Sequence, residues 1–142
     1  MSWSSHTFVT GELVTAAQIN GMFPTVTQTD VSGSRAINAT VYQNTSGKLR
    51  LVLISVYLEV ADVAAAVSGY SRVTCYCDSS NPPTTGVAKA NVGVSQANLG
   101  TFYGDHILAF FVKPNYYYKA TAAKGGDGAD PTLTYWTEWD LF

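Results

Sequence analysis

From residue 25 onward, hydrophobic and polar positions alternate with a period of two, which is the pattern of β-strands. Runs rich in Val, Thr, Tyr and Ile are separated by short clusters of Gly, Pro, Asn and Ser, which favour turns. The predicted strands cover residues 25–32, 35–44, 49–61, 70–78, 86–94, 98–104, 106–113, 116–122 and 132–142. Short strands at this spacing predict an all-β fold, an antiparallel β-sandwich of jelly-roll type.

The longest predicted strand, 49–61, is apolar on both faces. Leu51, Leu53 and Tyr57 alternate with a second apolar set centred on Ile54. In a small sandwich only one face of a strand meets the core, so the other face needs a cover: the N-terminal segment, a neighbouring subunit, or both. The sequence therefore predicts an oligomer with Leu51, Leu53 and Tyr57 at the subunit interface.

Three consecutive tyrosines lie in the predicted strand 116–122. Strand geometry places Tyr116 and Tyr118 on one face and Tyr117 on the other. Tyr117 in the core with partly exposed neighbours is one interpretation. A subunit interface formed by Tyr116 and Tyr118 is another, because Tyr is enriched at interfaces. Stacking of the exposed rings on a carbohydrate is the third.

Residues 1–24 differ from the rest and are predicted to form an N-terminal arm, followed by a sandwich domain at 25–142. The stretch LVTAAQINGMFP has a helix signal, with Thr15 as N-cap and Asn20-Gly21 as the stop. Such a helix is one to two turns long and must lie on another surface to bury its apolar residues. The arm residues predicted to dock are Trp3, Phe8, Leu13, Ile19, Met22 and Phe23.

The composition excludes several classes of protein. With 46% hydrophobic and only 13% charged residues, the chain is neither disordered nor strongly charged, and its net charge is −2. The Lys and Arg residues are scattered, so nucleic-acid binding is not expected. The first residues lack the pattern of a signal peptide, and no apolar run is long enough to insert into a membrane. Synthesis in a reducing cytosol, with Cys75 and Cys77 as free thiols, is the expectation.

The residues that carry chemistry are sparse. His6 and His106 have no second ligand at metal-binding spacing, and no G-x-S-x-G motif is present. Glu138 and Asp140 form a close acidic pair, interpreted as solvated residues of an end strand. The sequence therefore predicts no catalytic residues, no metal site and no cofactor, and a protein that is not an enzyme.

The loop at 124–132 is rich in glycine and places Asp127 near Asp130, but it lacks the spacing of a calcium loop. It is interpreted as an exposed hairpin connection. The candidate residues for surface binding are Trp136, Trp139 and Asp127.

Two sets of motifs together resemble known proteins. The opening WSSHTFVTGELVTAAQIN resembles the N-terminal segment of virion proteins of tailed bacteriophages. The run DVSGSRAINATVYQNTSGKLRLVLISV, with CDSSNPPTTGVA, FFVKPNYYYKATA and TYWTEWDLF, resembles a β-sandwich domain of phage tail-fibre, receptor-binding and related surface proteins. The resemblance implies a homotrimeric virion surface protein without enzymatic activity, assembled in the host bacterial cytoplasm. It also implies docking to capsid or tail proteins through the arm.

The resemblance leaves the position on the particle open. A tail-fibre or receptor-binding protein would have a host surface glycan or protein receptor as a further partner, whereas a capsid decoration or head-fibre protein would bind the head. A different class, a carbohydrate-binding module, is the further alternative, with Tyr116, Tyr118, Trp136 or Trp139 as stacking residues.

Overall fold

The computed structural model describes residues 26–61, 68–94 and 101–141, and in them eight strands form two antiparallel sheets. The strands are β1 Thr27–Asp30, β2 Tyr42–Gln43, β3 Arg50–Val60, β4 Gly69–Asp78, β5 Gly86–Val94, β6 Phe102–Val112, β7 Tyr117–Gly126 and β8 Thr132–Asp140. A single 3-10 turn, Ser32–Ser34, follows β1. The predicted arm, residues 1–24 with its short helix, lies outside the described residues.

The strand order confirms the predicted jelly-roll sandwich. Sheet 1 has the order β1-β8-β3-β6 and sheet 2 the order β2-β7-β4-β5. The strands pair as in one long folded hairpin: β1 with β8, β2 with β7, β3 with β6 and β4 with β5. Successive pairs of this hairpin belong alternately to sheet 1 and sheet 2. Rolling such a hairpin so that its two halves share a core gives the jelly roll.

The inward-facing side chains of the two sheets form one core. An aromatic group lies within it, where the Tyr42 ring meets Trp136 edge-on at a centroid separation of 5.7 Å and the Tyr118 and Trp136 rings are 6.4 Å apart. Aliphatic residues surround this group: Val52, Ile54, Val56, Leu58, Val73, Leu108 and Val112. Burial of this apolar surface is the main force that holds the two sheets together.

Strand β3 has the two apolar faces that its sequence predicts. Every second residue from Val52 to Val60 is fully buried in the core. The alternating residues, among them Leu51, Leu53 and Tyr57, are half-buried and point away from the core. The outer side of β3 is therefore an apolar surface of the described molecule.

Several predicted strands have different bounds in the structure. Within 35–44, only Tyr42–Gln43 forms a strand, because Ala39 adopts a left-handed backbone conformation with φ of 71° that interrupts the extended chain. The predicted break near Asp105 does not occur, and β6 pairs with β3 over its full length. Continuous pairing with a long neighbour overrides the local turn signal of Gly104.

The connection between β7 and β8 is not the predicted hairpin, because β7 belongs to sheet 2 and β8 to sheet 1. Gly126 has a positive φ of 56°, and a Cβ atom there would overlap the carbonyl oxygen of Ser68. Glycine therefore allows the chain to pass close to the start of β4 as it crosses between the sheets.

Both cysteines are free thiols, as predicted, and both are buried. Cys75 lies among apolar side chains in the core, and burial raises the pKa of its thiol to about 12. A thiol protonated at neutral pH is a poor nucleophile, so Cys75 has a structural role.

Candidate functional site

The outer face of sheet 1 carries most of the exposed large hydrophobic side chains of the described residues. Four of its large side chains are mostly exposed: Tyr103 67%, Ile107 75%, Phe111 59% and Tyr135 62%. They lie with Leu51, Leu53, Ser55, Tyr57, Thr137 and Trp139 on the side of β3, β6 and β8 that faces away from the core. An apolar surface of this kind marks an interaction site more often than it marks free protein surface.

Strand register divides this outer face into two ends. At one end Leu51 lies between Trp139 and Phe111, in a row that crosses β8, β3 and β6. We call these three residues the Leu51 row. At the other end Tyr57 packs against Tyr103, with ring centroids 6.2 Å apart.

The end of the face at Tyr57 and Tyr103 is more polar than the end at the Leu51 row. Tyr57 donates a hydrogen bond of 3.1 Å to the Glu59 carboxylate, and Asp105 is its partner across the β3–β6 pair. Ile107 and Tyr135 flank Ser55 near the middle of the face. The surface thus grades from mostly apolar at the Leu51 row, where Gln28 of β1 lies beside Trp139, to aromatic and acidic at Tyr57.

Trp139 has an unusual environment within the Leu51 row. Its indole Nε1 is buried and has no hydrogen-bond partner among the residues that the structure describes. A buried donor without an acceptor lowers stability by about 1 to 3 kcal/mol.

The outer face of sheet 2 has a different chemistry. The Arg72 guanidinium lies over the Tyr70 ring at 4.9 Å, and the Lys119 ammonium lies over the Tyr76 ring at 5.1 Å. The cations and the tyrosine hydroxyls make this face more polar than the outer face of sheet 1. The two outer faces are therefore unequal, and the apolar one is on sheet 1.

A buried ionic cluster at one end of the core is centred on Glu138. Its Oε1 accepts hydrogen bonds from Tyr118 Oη at 2.7 Å, Arg35 Nε at 2.9 Å and Trp136 Nε1 at 3.2 Å. Its Oε2 accepts from an Arg50 guanidinium nitrogen at 2.7 Å and from Arg35 at 3.2 Å. Every lone-pair direction of this carboxylate is used, so the cluster ties the two sheets and the segment before β2 together.

The side chains of Tyr118 and Asp140, near Glu138, have shifted pKa values. Burial, followed by the hydrogen bond to Glu138, raises the pKa of the Tyr118 hydroxyl to about 12. The two hydrogen bonds from Arg50, at 2.7 and 3.1 Å, lower the pKa of the Asp140 carboxyl. Because Glu138 has no open side for a substrate, the cluster is structural rather than catalytic. The interpretation of Glu138 as a solvated residue is wrong.

Two residues predicted for surface roles are in the core. Tyr118 and Trp136 are both fully buried, so Tyr118 forms no subunit interface and Trp136 no surface binding site in this fold. The prediction that Tyr117 faces the opposite side from Tyr118 is correct. The interpretation that places Tyr117 in the core is wrong. Tyr118 faces the core while Tyr117 is half-buried on the outside of sheet 2.

The other predicted residues are distributed over the molecule. Leu51, Leu53 and Tyr57 come together on the outer face of sheet 1, where Trp139 also lies. Tyr116 is apart from them, packed against the edge of the core with the Lys113 ammonium 5.6 Å from its ring centre. Asp127 is exposed in the β7–β8 connection.

The four most exposed residues of the apolar face were not among the residues predicted from the sequence: Tyr103, Ile107, Phe111 and Tyr135. The signal was present in the alternation of residues 103–111, because Tyr103, Ile107 and Phe111 share one parity. Interpreting this run as two strands broken at Asp105 concealed that parity.

Among residues 26–61, 68–94 and 101–141, no group of three or more His, Cys, Asp or Glu side chains is placed to hold a metal ion. The same ranges contain no helix that is long and apolar enough to cross a membrane.

The loop between β4 and β5 is organised by one carboxylate. Asp78 Oδ2 accepts hydrogen bonds from the backbone amides of Thr84 and Thr85, both at 2.8 Å, and Oδ1 accepts from the amide of Ser80 at 2.7 Å. Hydrogen bonds from these amides lower the pKa of the Asp78 carboxyl, and the bond from Thr84 has the largest effect. The loop is therefore pre-shaped although most of its side chains are exposed.

We expect Asp78→Asn to loosen this loop without unfolding the sandwich. An amide side chain accepts through one oxygen only, so the backbone amides of Thr84 and Thr85 should exchange with solvent at least tenfold faster, measured by NMR hydrogen exchange. Because the folded-state pKa is lowered, the wild-type loop should stay protected above the ordinary carboxyl pKa. That protection should be lost as the pH falls through the folded value. Asp127→Asn, in the other loop, is the control; equal exchange of Thr84 in all three proteins would contradict the role of Asp78.

Comparison of the chain with protein-family models finds no match, and comparison with curated proteins finds no significant match. The class defined by the structure is thus a jelly-roll sandwich with an apolar outer face on sheet 1.

Proposed function

We propose that this protein is a structural component of a bacteriophage virion, a compact homotrimer displayed on the particle surface and attached to other virion proteins through residues 1–24. The observation that carries the self-association is the exposed apolar outer face of sheet 1. The virion assignment and the threefold state rest on the sequence resemblance to phage surface proteins, with which the jelly-roll fold is compatible.

The energetics of the apolar face support assembly. Burial of apolar surface is worth about 25 cal/mol per Å², so covering Tyr103, Ile107 and Tyr135 contributes several kcal/mol against the entropy cost of association. A closed cyclic assembly uses the same surface on every copy and leaves none of it to form open chains. The more polar outer face of sheet 2 then remains available to solvent.

A role on the tail, as a fibre or receptor-binding tip, is our preferred form of the proposal. The pre-shaped loop at residues 79–85 supports it, because an ordered exposed loop can bind a host glycan or protein receptor without a large loss of conformational entropy. A capsid decoration or head-fibre protein is the alternative. The carbohydrate-binding alternative is weakened, since Tyr118 and Trp136, two of its four aromatic residues, are fully buried.

Immunogold electron microscopy of purified particles tests the proposal. We expect label on the particle surface with the full chain, and loss of at least nine-tenths of the label when residues 1–24 are deleted. Labelling at the tail supports the receptor-binding form, and labelling over the head supports the decoration form. The Asp78→Asn variant is the matched control, because it alters a loop and should be incorporated normally. Particles without label in the wild type would overturn the virion assignment.

A further inference from the structure

We propose that the outer face of sheet 2 binds an acidic polysaccharide through the cations of Arg72, Lys89 and Lys119. The inference goes beyond the proposed function, because it concerns a different surface from the apolar face of sheet 1 and does not depend on the protein being part of a virion. We call the surface formed by these three cations and their hydroxyl-bearing neighbours the basic face. The neighbours are Tyr70, Thr74, Tyr76 and Thr121.

Strand pairing brings together three cations that are scattered in the sequence. Arg72 lies on β4, Lys89 on β5 and Lys119 on β7. Lys89 is the partner of Thr74, and Lys119 is the partner of Tyr76. Because Thr74 and Tyr76 follow Arg72 at two-residue intervals, all three cations lie on one side of the sheet. Strand geometry places their Cα atoms roughly 8 to 14 Å apart.

The three cations have no carboxylate partner among the described residues. The ion pairs of these residues use Arg35, Arg50 and Lys124 instead. Asp78, at one end of the face, already accepts hydrogen bonds from backbone amides of its own loop through both carboxylate oxygens. Asp127 follows the last residue of β7, beyond the other end. The basic face therefore has uncompensated positive charge, in a chain whose formal net charge is −2.

Two of the cations are positioned by tyrosine rings. The Arg72 guanidinium lies over the Tyr70 ring at 4.9 Å, and the Lys119 ammonium lies over the Tyr76 ring at 5.1 Å. The Tyr70 ring also lies against Gly125, where a Cβ atom would overlap it. Side chains restricted in this way lose less conformational entropy when they bind an anion.

The occupied tyrosine rings favour one class of polyanion. Single-stranded nucleic acid binds by stacking bases on aromatic rings, but a cation already lies over each of Tyr70 and Tyr76. Anionic membrane surfaces are bound by clusters of about four to eight Lys and Arg residues, more than this face has.

An acidic polysaccharide matches the remaining chemistry. Its carboxylate or sulfate groups are spread along a chain and can each pair with one of the separated cations. Its sugar hydroxyls can exchange hydrogen bonds with Thr74 and Thr121, which are partners in the β4–β7 pair. The ligand class therefore follows from separated cations with hydroxyl groups between them.

Binding of the purified full chain to two acidic polysaccharides, heparin and alginate, tests the inference by isothermal titration calorimetry. We expect at least one of them to bind and neutral dextran not to bind. The double variant Lys89→Gln with Lys119→Gln should raise the dissociation constant at least tenfold. The matched control, Lys113→Gln with Lys124→Gln, makes the same change in net charge outside the basic face and should raise it less than twofold. Circular dichroism checks that both variants are folded.

Four results would overturn the inference. They are binding to neither acidic polysaccharide, binding to dextran as tight as to the acidic chains, equal losses of affinity in the two double variants, and tighter binding to another polyanion. Oligo-dT and phosphatidylglycerol vesicles are the probes for that last result, and would favour nucleic acid or a membrane surface. The attachment of the protein to a particle affects none of these readouts, so the inference and the proposed function can fail separately.

Discussion

Glu138→Gln is expected to lower the free energy of unfolding by about 3 to 5 kcal/mol, the usual cost of removing one partner from a buried ion pair. The Gln side chain keeps the shape of Glu but loses the charge that Arg35 and Arg50 share. One oxygen would also be replaced by an NH2 group facing donors, so a hydrogen bond to Arg50 or to Tyr118 is lost. Urea denaturation followed by circular dichroism measures the change.

The control for this prediction is Asp130→Asn, which breaks the Lys124–Asp130 pair. That pair is short, at 2.6 Å, but both side chains are largely exposed, so its loss should leave stability within experimental error of the wild type. A Glu138→Gln variant less than 1 kcal/mol below the wild type would show that the cluster is not a main support of the fold. Since oligomers unfold with concentration-dependent midpoints, all variants are compared at one protein concentration.

Ile107→Asp is expected to dissociate the proposed homotrimer into monomers. Ile107 is 75% exposed in the single chain, so the change should cost the folded monomer little. In an interface it would bury a carboxylate without a cation, and Asp105 on the same strand adds a like charge. We expect the dissociation constant to rise at least 100-fold, which corresponds to about 2.7 kcal/mol. Sedimentation equilibrium at micromolar concentrations measures it.

Val87→Asp is the matched control because it makes a similar aliphatic-to-acidic change on the outer face of sheet 2. It should sediment like the wild type. Two results would contradict an interface on sheet 1. One is a wild-type chain that stays monomeric at ten times the micromolar concentrations of this experiment. The other is equal dissociation constants for Ile107→Asp and Val87→Asp.

The sequence was sufficient for the class of fold because alternation and turn residues are local properties. The period of two in residues 49–61 predicts a strand with two apolar faces, and β3 has them. The jelly-roll type was inferred from the number and spacing of strands, and the pairing order confirms it.

The site was predictable only in part. Leu51, Leu53 and Tyr57 were found because they belong to one long strand and their common face follows from parity alone. Ile107 and Phe111 belong to another strand and Tyr135 to a third, so their place beside these residues depends on strand order. Trp136 and Trp139 illustrate the same point: both are tryptophans of β8, three positions apart, and they point to opposite sides of the sheet.

What the sequence by itself determined about this protein is where strands form and which residues share a face, since both follow from backbone geometry within one segment. Which face turns inward was decided only by the tertiary structure, through pairings between residues far apart in the chain. Glu138 shows the physical reason most clearly. An acidic residue near the end of the chain is expected in water, and it is buried only because Arg35, Arg50 and Tyr118, from three distant segments, together replace its hydration.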